Sequence, residues 1–195
     1  MDARQALRKQ MRTARRQLSD IQQHTAAQAL AANIIELSAF NASHSVAIYL
    51  SSDGEIDTQA VIEHCWAQGK DVYLPVLDPD RVNALLFVHY DRQTPMCHNK
   101  YQILEPATPY QKTLPAQALD LVLLPLVSFD SSGNRMGMGG GYYDRTFAFK
   151  AEQPTAQPTL IGMAHELQRV ASLPVASWDI PLAGIASDKQ FYPAA

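Results

Sequence analysis

The sequence predicts an α/β fold: a single three-layer domain over residues 1–195, with a mostly parallel sheet flanked by helices. Three observations predict it. Short apolar runs at 46–50, 72–76, 121–127 and 160–164 show no alternation, which is the pattern of strands buried on both faces. Segments of helical periodicity stand between them, the order from which parallel sheets are built. With 195 residues, 47% of them hydrophobic and 18% charged, the chain has the composition of one globular core.

In order, the chain opens with a helix over 3–18. Leu7, Met11, Ala14 and Leu18 recur on one face, and Arg4, Arg8, Arg12, Arg15 and Arg16 make a basic stripe on another. Six of the sixteen lysines and arginines precede Ser19. The stripe is either the solvated side of a docked helix or a source of ligands for phosphate. Ser19 and Gln22 have the spacing of a capping box and start a second helix, whose apolar side is Leu30, Ile34, Ile35 and Leu37. The strand at 46–50 runs into the polar loop 51–55, after which Asp57 and Thr58 open a helix that stops near Gly69. Open α/β sheets bind ligands beyond the carboxyl ends of their strands, so Leu50 and Glu55 stand in a binding position by topology. Otherwise Glu55 is an ordinary loop carboxylate. Strands follow at 72–76 and 85–90, the latter less buried on one side, which places His89 near the surface. The stretch 91–118 lacks periodicity and reads as a binding loop, a lid or irregular packing.

The run 121–127, the turn at 130–133 and a helix over 142–150 enclose the most distinctive stretch, in which four of the five residues 137–141 are glycine. A loop without side chains lets backbone N–H groups converge on an anion near the start of a helix. Arg135 and Arg145 bracket it and can add charge-assisted bonds to phosphate, and Asp144 is placed to hold a divalent ion. The stretch reads as an ATP site or as a glycine-rich helix entry without a ligand. It is not a Walker loop, since no lysine follows the glycines, nor a dinucleotide fingerprint, since Tyr142 occupies the place of the third glycine. Further on, His165 closes the strand at 160–164, as a catalyst or as a plain polar terminus.

Cys65 and Cys97 have neither disulfide nor metal-ligand spacing. A net charge of −3 and a pI near 6.0 give no general attraction to nucleic acid. The longest apolar run is short of a membrane span and contains Pro125. A soluble cytoplasmic protein is expected.

The residues Arg135, Met136, Gly137, Met138, Gly139, Gly140, Gly141, Tyr142, Tyr143, Asp144 and Arg145 together are similar to the signature of the 5-formyltetrahydrofolate cyclo-ligase family. The resemblance extends to Arg4 through Arg8, to 46–50 with 55–58, and to Trp178, Asp179, Ile180 and Pro181. It implies ATP-dependent cyclisation of 5-formyltetrahydrofolate to 5,10-methenyltetrahydrofolate. It also implies an ATP site of Arg4, Gln5, Ala6, Leu7 and Arg8 with Arg135, Met136, Gly137, Met138, Gly139, Gly140, Gly141, Tyr142 and Tyr143. By the same resemblance Leu50 and Glu55 contact the folate together with Met138, Gly139, Gly140, Gly141 and Tyr142, and Asp144 and Asp179 hold Mg²⁺. No residue acts as a covalent nucleophile, and Arg135 and Arg145 stabilise charge. Arg12, Arg15 and Arg16 are left as surface residues. The chain departs from the family at Ala183, where relatives carry a second aspartate, and at Met138 and Gly140, where they carry basic side chains. The implied partners are the folate and ATP, without nucleic acid or membrane, for a monomer. A phosphosugar isomerase and a non-catalytic anion- or nucleic-acid-binding module are the rival readings.

Overall fold

The computed structural model describes residues 2–99, 102–110, 112–176 and 178–194. Helix α1 (Ala3–Arg16) is capped by Asp2, whose side chain accepts from the Arg4 N–H. Helix α2 (Asp20–Ile35) starts with the expected capping box, Ser19 and Gln22 each satisfying the other's backbone N–H. A short helix α3 (Ser38–Ala42), which the sequence did not announce, seats Phe40 in the core before strand β1 (Ser45–Ile48). Five residues are too few to show a helical period.

Helix α4 (Gln59–Ala67) links β1 to β2 (Asp71–Leu77), and Gly69 takes the left-handed conformation beyond its end. Strand β3 (Leu85–His89) returns antiparallel to β2. The unassigned stretch contains a small hairpin, β4 (Met96–His98) with β5 (Leu104–Pro106), and an edge strand β6 (Thr113–Leu114). Strand β7 (Leu121–Pro125) is followed by a second hairpin, β8 (Ser128–Phe129) with β9 (Arg135–Met136), which presents the glycines. Helix α5 is shorter than expected, Tyr142–Thr146, and passes into a 3₁₀ turn at Ala148–Ala151. Strands β10 (Thr159–Ala164), β11 (Gly184–Ser187) and β12 (Phe191–Pro193) complete the chain.

Among the described residues the main sheet has eight strands in the order β12-β11-β10-β7-β1-β2-β3-β6. Its five central strands, β11 to β2, are parallel, and the outer three pair antiparallel. Side chains alternate between two cores, as strand geometry requires. Val46, Ile48, Leu121 and Leu123 pack against α2 and α4, while Ala47, Val122 and Leu124 pack on the other side with Phe87, Phe129 and Phe147. Burial on both faces explains the unalternating apolar runs.

Strand order also fixes where a ligand can sit. From β1 the chain moves through α4 to β2 on one side, and from β7 it moves to β10 on the other. The connections leaving β1 and β7 therefore diverge, and a crevice opens at the carboxyl ends of these neighbours.

Candidate active site

A cleft of about 1060 Å³ occupies that crevice. Of the residues named from the sequence it is lined by Arg4, Arg8, Leu50, Glu55, Asp179 and the whole run 135–145. Gln5, Ala6 and Leu7 do not line it, because on α1 only residues one turn apart, here Arg4 and Arg8, share the face turned to the cleft.

The glycine loop is held from below. Asp130 Oδ1 accepts from the N–H groups of Ser132 (3.0 Å) and Asn134 (3.2 Å), and its Oδ2 accepts from Asn134 Nδ2 (3.0 Å) and Leu173 N (2.9 Å). Gly139 and Gly141 have φ of +98° and +68°, which residues with a Cβ rarely adopt. Gly140 lies under the Tyr142 ring, where a Cβ would come within 2.7 Å of Cε2. Two arginines take carbonyls of the loop: Arg8 Nε donates to Gly137 O (2.9 Å) and Arg145 Nη1 to Gly140 O (2.7 Å). The Arg8 guanidinium stands beside Gly139, and Arg4 Nη2 donates to Pro174 O (2.8 Å).

A helix of five residues adds little dipole, so the pull on an anion comes mainly from Arg4, Arg8 and Arg145 rather than from α5. Arg135 is less available. Its side chain is 8% exposed and donates to Asp144 Oδ1 (2.7 Å) and Ile180 O (3.2 Å), which ties the segment carrying Trp178 and Asp179 to the glycine loop.

The opposite wall carries Glu55, whose Oε2 accepts from Ser52 N (3.1 Å) and whose Oε1 lies 3.7 Å from Arg15 Nη2. Burial raises its pKa above the ordinary carboxylate value, with Arg15 and the Ser52 bonds opposing. Tyr143 belongs to this wall: burial, then the charge of Glu55, raises its hydroxyl pKa, and its ring stacks on Phe147. The adjacent tyrosines thus part company, Tyr142 covering the loop and Tyr143 facing Glu55. Tyr49, also raised by burial and then by Glu55, stands behind them and donates to Ile56 O (3.3 Å).

Several lining residues have no role in the sequence reading, although the stretch 91–118 is offered there as a binding loop. The β4–β5 hairpin brings Asn99, Ile103, Leu104 and Glu105 to the rim, and Trp178 projects there with 68% of its surface exposed. Lys150 also lines the cleft, although its ammonium donates to the carbonyls of Ala156 and Pro158. A hairpin of three-residue strands leaves no period to find, and Lys150 was hidden in an expected helix end.

The basic stripe of α1 divides. Arg15, expected at the surface, is 1% exposed, because Asp53 and Glu55 draw it into the protein. His165 is buried, does not line the cleft, and has its pKa lowered by burial, so the bland alternative describes it better than the catalytic one. Cys65 is buried with its thiol pushed up to about 12, and neither cysteine forms a disulfide. No helix among the described residues is long and apolar enough to cross a membrane.

Among the described residues no group of three or more His, Cys, Asp or Glu side chains forms a metal cage. Asp144 and Asp179 nevertheless both line the cleft, and each has one carboxylate oxygen outside the hydrogen bonds that hold it: Asp144 is held through Oδ1, and Asp179 through Oδ2 by Ala176 N. One or two carboxylates beside phosphates are the donor set that Mg²⁺ takes, so the residues fit the ion without a cage.

The chain is also similar to known proteins. The model of the 5-formyltetrahydrofolate cyclo-ligase family matches residues 1–188. The 5-formyltetrahydrofolate cyclo-ligase of Haemophilus influenzae is 42% identical over 179 residues, covering 92% of this chain and 94% of its own. That of Escherichia coli K12 is 42% identical over 182 residues, covering 93% and 98%. Among solved structures, the 5,10-methenyltetrahydrofolate synthetase of Aquifex aeolicus has the same fold, with a TM-score of 0.82 at 24% identity over 98% of this chain and 93% of that one. The glycine loop, the arginines of α1 and the carboxylate loop after β1 thus belong to a chain that is a member of the 5-formyltetrahydrofolate cyclo-ligase family, a family of ligases.

Proposed function

We propose that the protein cyclises 5-formyltetrahydrofolate to 5,10-methenyltetrahydrofolate at the expense of ATP, releasing ADP and phosphate. The observation that carries this reading is that one cleft places the arginine-backed glycine loop opposite the half-buried carboxylate Glu55. The first wall suits a polyphosphate, and the second suits the donor-rich edge of a pterin, from which a carboxylate accepts hydrogen bonds.

The formamide oxygen of the substrate is a poor leaving group. Transfer of the γ-phosphoryl group to it breaks the bond to ADP and gives an iminophosphate. Attack by the neighbouring N10, which gives up its proton, then closes the ring, and the oxygen leaves as phosphate. Such transfer asks mainly for alignment and charge neutralisation. Arg4 and Arg8 approach from α1 and Arg145 from α5, while the loop backbone with Gly139 and Gly141 at positive φ gives phosphate oxygens close approach. Arg135 acts by holding Asp144, and Leu50, Glu55 and Tyr143 hold the folate against the loop. Magnesium, held by Asp144 and Asp179, would neutralise the phosphates of the nucleotide. The chain would work as a single domain over 1–195 and could act as a monomer, since one chain supplies both walls and the site needs no second subunit, and its free thiols suit the cytoplasm.

The test is to incubate purified protein with 5-formyltetrahydrofolate and follow methenyl product by its absorbance, with ATP and Mg²⁺ present or each omitted. One product per ATP is expected, with little when either is omitted. Full conversion without ATP, or none with saturating substrates, would remove the assignment.

A further inference from the structure

The half of α1 remote from the glycine loop grips a single carboxylate. Arg12 Nε lies 2.7 Å and Arg15 Nη2 3.0 Å from Asp53 Oδ2, and Arg16 bonds Oδ1. Arg15 Nε also donates to the Asp53 carbonyl (2.8 Å), and Arg15 Nη2 extends to Glu55 two residues on. Asp53 and Gly54 have φ of +55° and +73°, and Glu55 N donates to Ser52 O (2.9 Å), so Ser52 to Glu55 form a tight turn of type I′ character. The backbone of α1 presses on this turn, for a Cβ on Gly54 would stand 3.0 Å from the Arg15 carbonyl.

Three guanidinium groups repel one another, and a solvated turn does not need them. Their convergence has a geometric result instead. At its other end the same helix contacts the glycine loop through Arg8 and Gly137 O. One rigid element therefore touches both walls of the cleft, about two turns apart along its axis.

We propose that Asp53 is a positioning residue: by gathering Arg12, Arg15 and Arg16 it fixes Glu55 at a set distance from the glycine loop, with α1 as the spacer. This rests on the reading of Glu55 as the folate contact. Asp53 touches neither substrate and acts through Arg15 and the turn.

The test is Asp53→Asn, since asparagine tolerates the left-handed backbone and the change removes the charge and one of the two acceptor oxygens that gather the arginines. Folding is checked by circular dichroism and thermal midpoint, and KM is measured separately for 5-formyltetrahydrofolate and for ATP. We expect the folate KM to rise about tenfold, because displacement of a contact by a fraction of an ångström has effects of that order, while the ATP KM stays within about twofold. A second readout is the acidic limb of kcat/KM for the folate. The groups facing Glu55 are Arg15 from α1, Asp53 and Ser52 from its own turn, Tyr49 beyond β1 and Tyr143 from α5. Of these only Asp53 is altered. Losing its charge favours ionised Glu55, so the limb should move to lower pH. Arg16→Gln, at a side chain 52% exposed, is the variant that keeps the fold if Asp53→Asn does not, and should raise the folate KM about threefold. An unchanged folate KM in these folded variants, or parallel rises for both substrates, overturns the proposal. Wild-type protein without cyclase activity would instead overturn the functional reading beneath it.

Discussion

Gly69 and Gly141 share a φ of +68°, yet only one lines the cleft, and that makes them a matched pair. An alanine at either meets the same backbone penalty of about 1 kcal/mol, and because the one close contact at Gly141 is the movable Arg145 guanidinium, 2.9 Å from the new Cβ, the two variants should lose comparable amounts of thermal midpoint. Gly141→Ala and Gly139→Ala should in addition lower turnover about 100-fold, because the loop must shift where reacting atoms are aligned. Wild-type turnover in both loop variants would move the phosphate site elsewhere. The pattern of glycines was legible because positive φ has few sequence solutions. The fate of Arg15 was not, because the sequence spaces arginines along α1 without revealing which of them meets a carboxylate forty residues away.

The helix α1 is one element with two duties, and substitutions along it should separate them. Arg8→Ala should raise the ATP KM about tenfold or more, since a charge-assisted bond contributes roughly 1.5–3 kcal/mol, with little change in stability. Arg15→Ala should do the reverse and cost about 1–3 kcal/mol of stability, because the Asp53 carbonyl loses its donor and half-buried Glu55 its cation, while Arg12 and Arg16 still pair the Asp53 carboxylate. Arg12→Ala, partly exposed, should cost ~1 kcal/mol or less. Chemical denaturation alongside steady-state kinetics reads both effects. If Arg8 and Arg15 variants behave alike, the helix has no such division.

The β8–β9 hairpin beneath the glycines carries a pH dependence. Burial of Asp130 works to raise its pKa, but the hydrogen bonds from Asn134, Leu173 and Ser132 outweigh it and hold the carboxyl below the ordinary value. A carboxyl with a lowered folded-state pKa stabilises the protein fully above its unfolded pKa of about 3.9, and that contribution is lost as pH falls through the folded value. Thermal midpoints should therefore fall below about pH 4. Asp130→Asn should lower the midpoint at neutral pH and flatten this acid limb, although Asp120, whose pKa is also lowered against burial by bonds from Ser45 and His44, retains a part. Coincident acid limbs for the two proteins would show that Asp130 does not link the turn to pH.

At the scale of the whole molecule the sheet was legible because strands buried on both faces must read as unbroken apolar runs. Its parallel centre followed from the alternation of elements, as did the position of Leu50 and Glu55 at a strand's carboxyl end. The antiparallel edges, α3 and the β4–β5 hairpin were not legible, since elements of two to five residues take their form from the body they pack on. The two tyrosines are both placed in the ATP site by resemblance, but adjacent residues of a helix leave it in different directions, and which of them meets Glu55 is set by how α5 packs.

The indole of Trp178 stands on the rim of the cleft, while Trp66, the chain's other tryptophan, lies over Tyr90 and under Arg92 with its N–H donated to Tyr90 O. Nature has thus left one fluorophore at the mouth and another fixed on the scaffold. Contact with a folate seated on that rim should quench the exposed indole and leave the second as an internal reference. Titration of Trp178→Phe against wild type would separate the two signals, and equal quenching in both would place the ligand away from this rim. An unlabelled protein could then report occupancy in real time, before any turnover occurs.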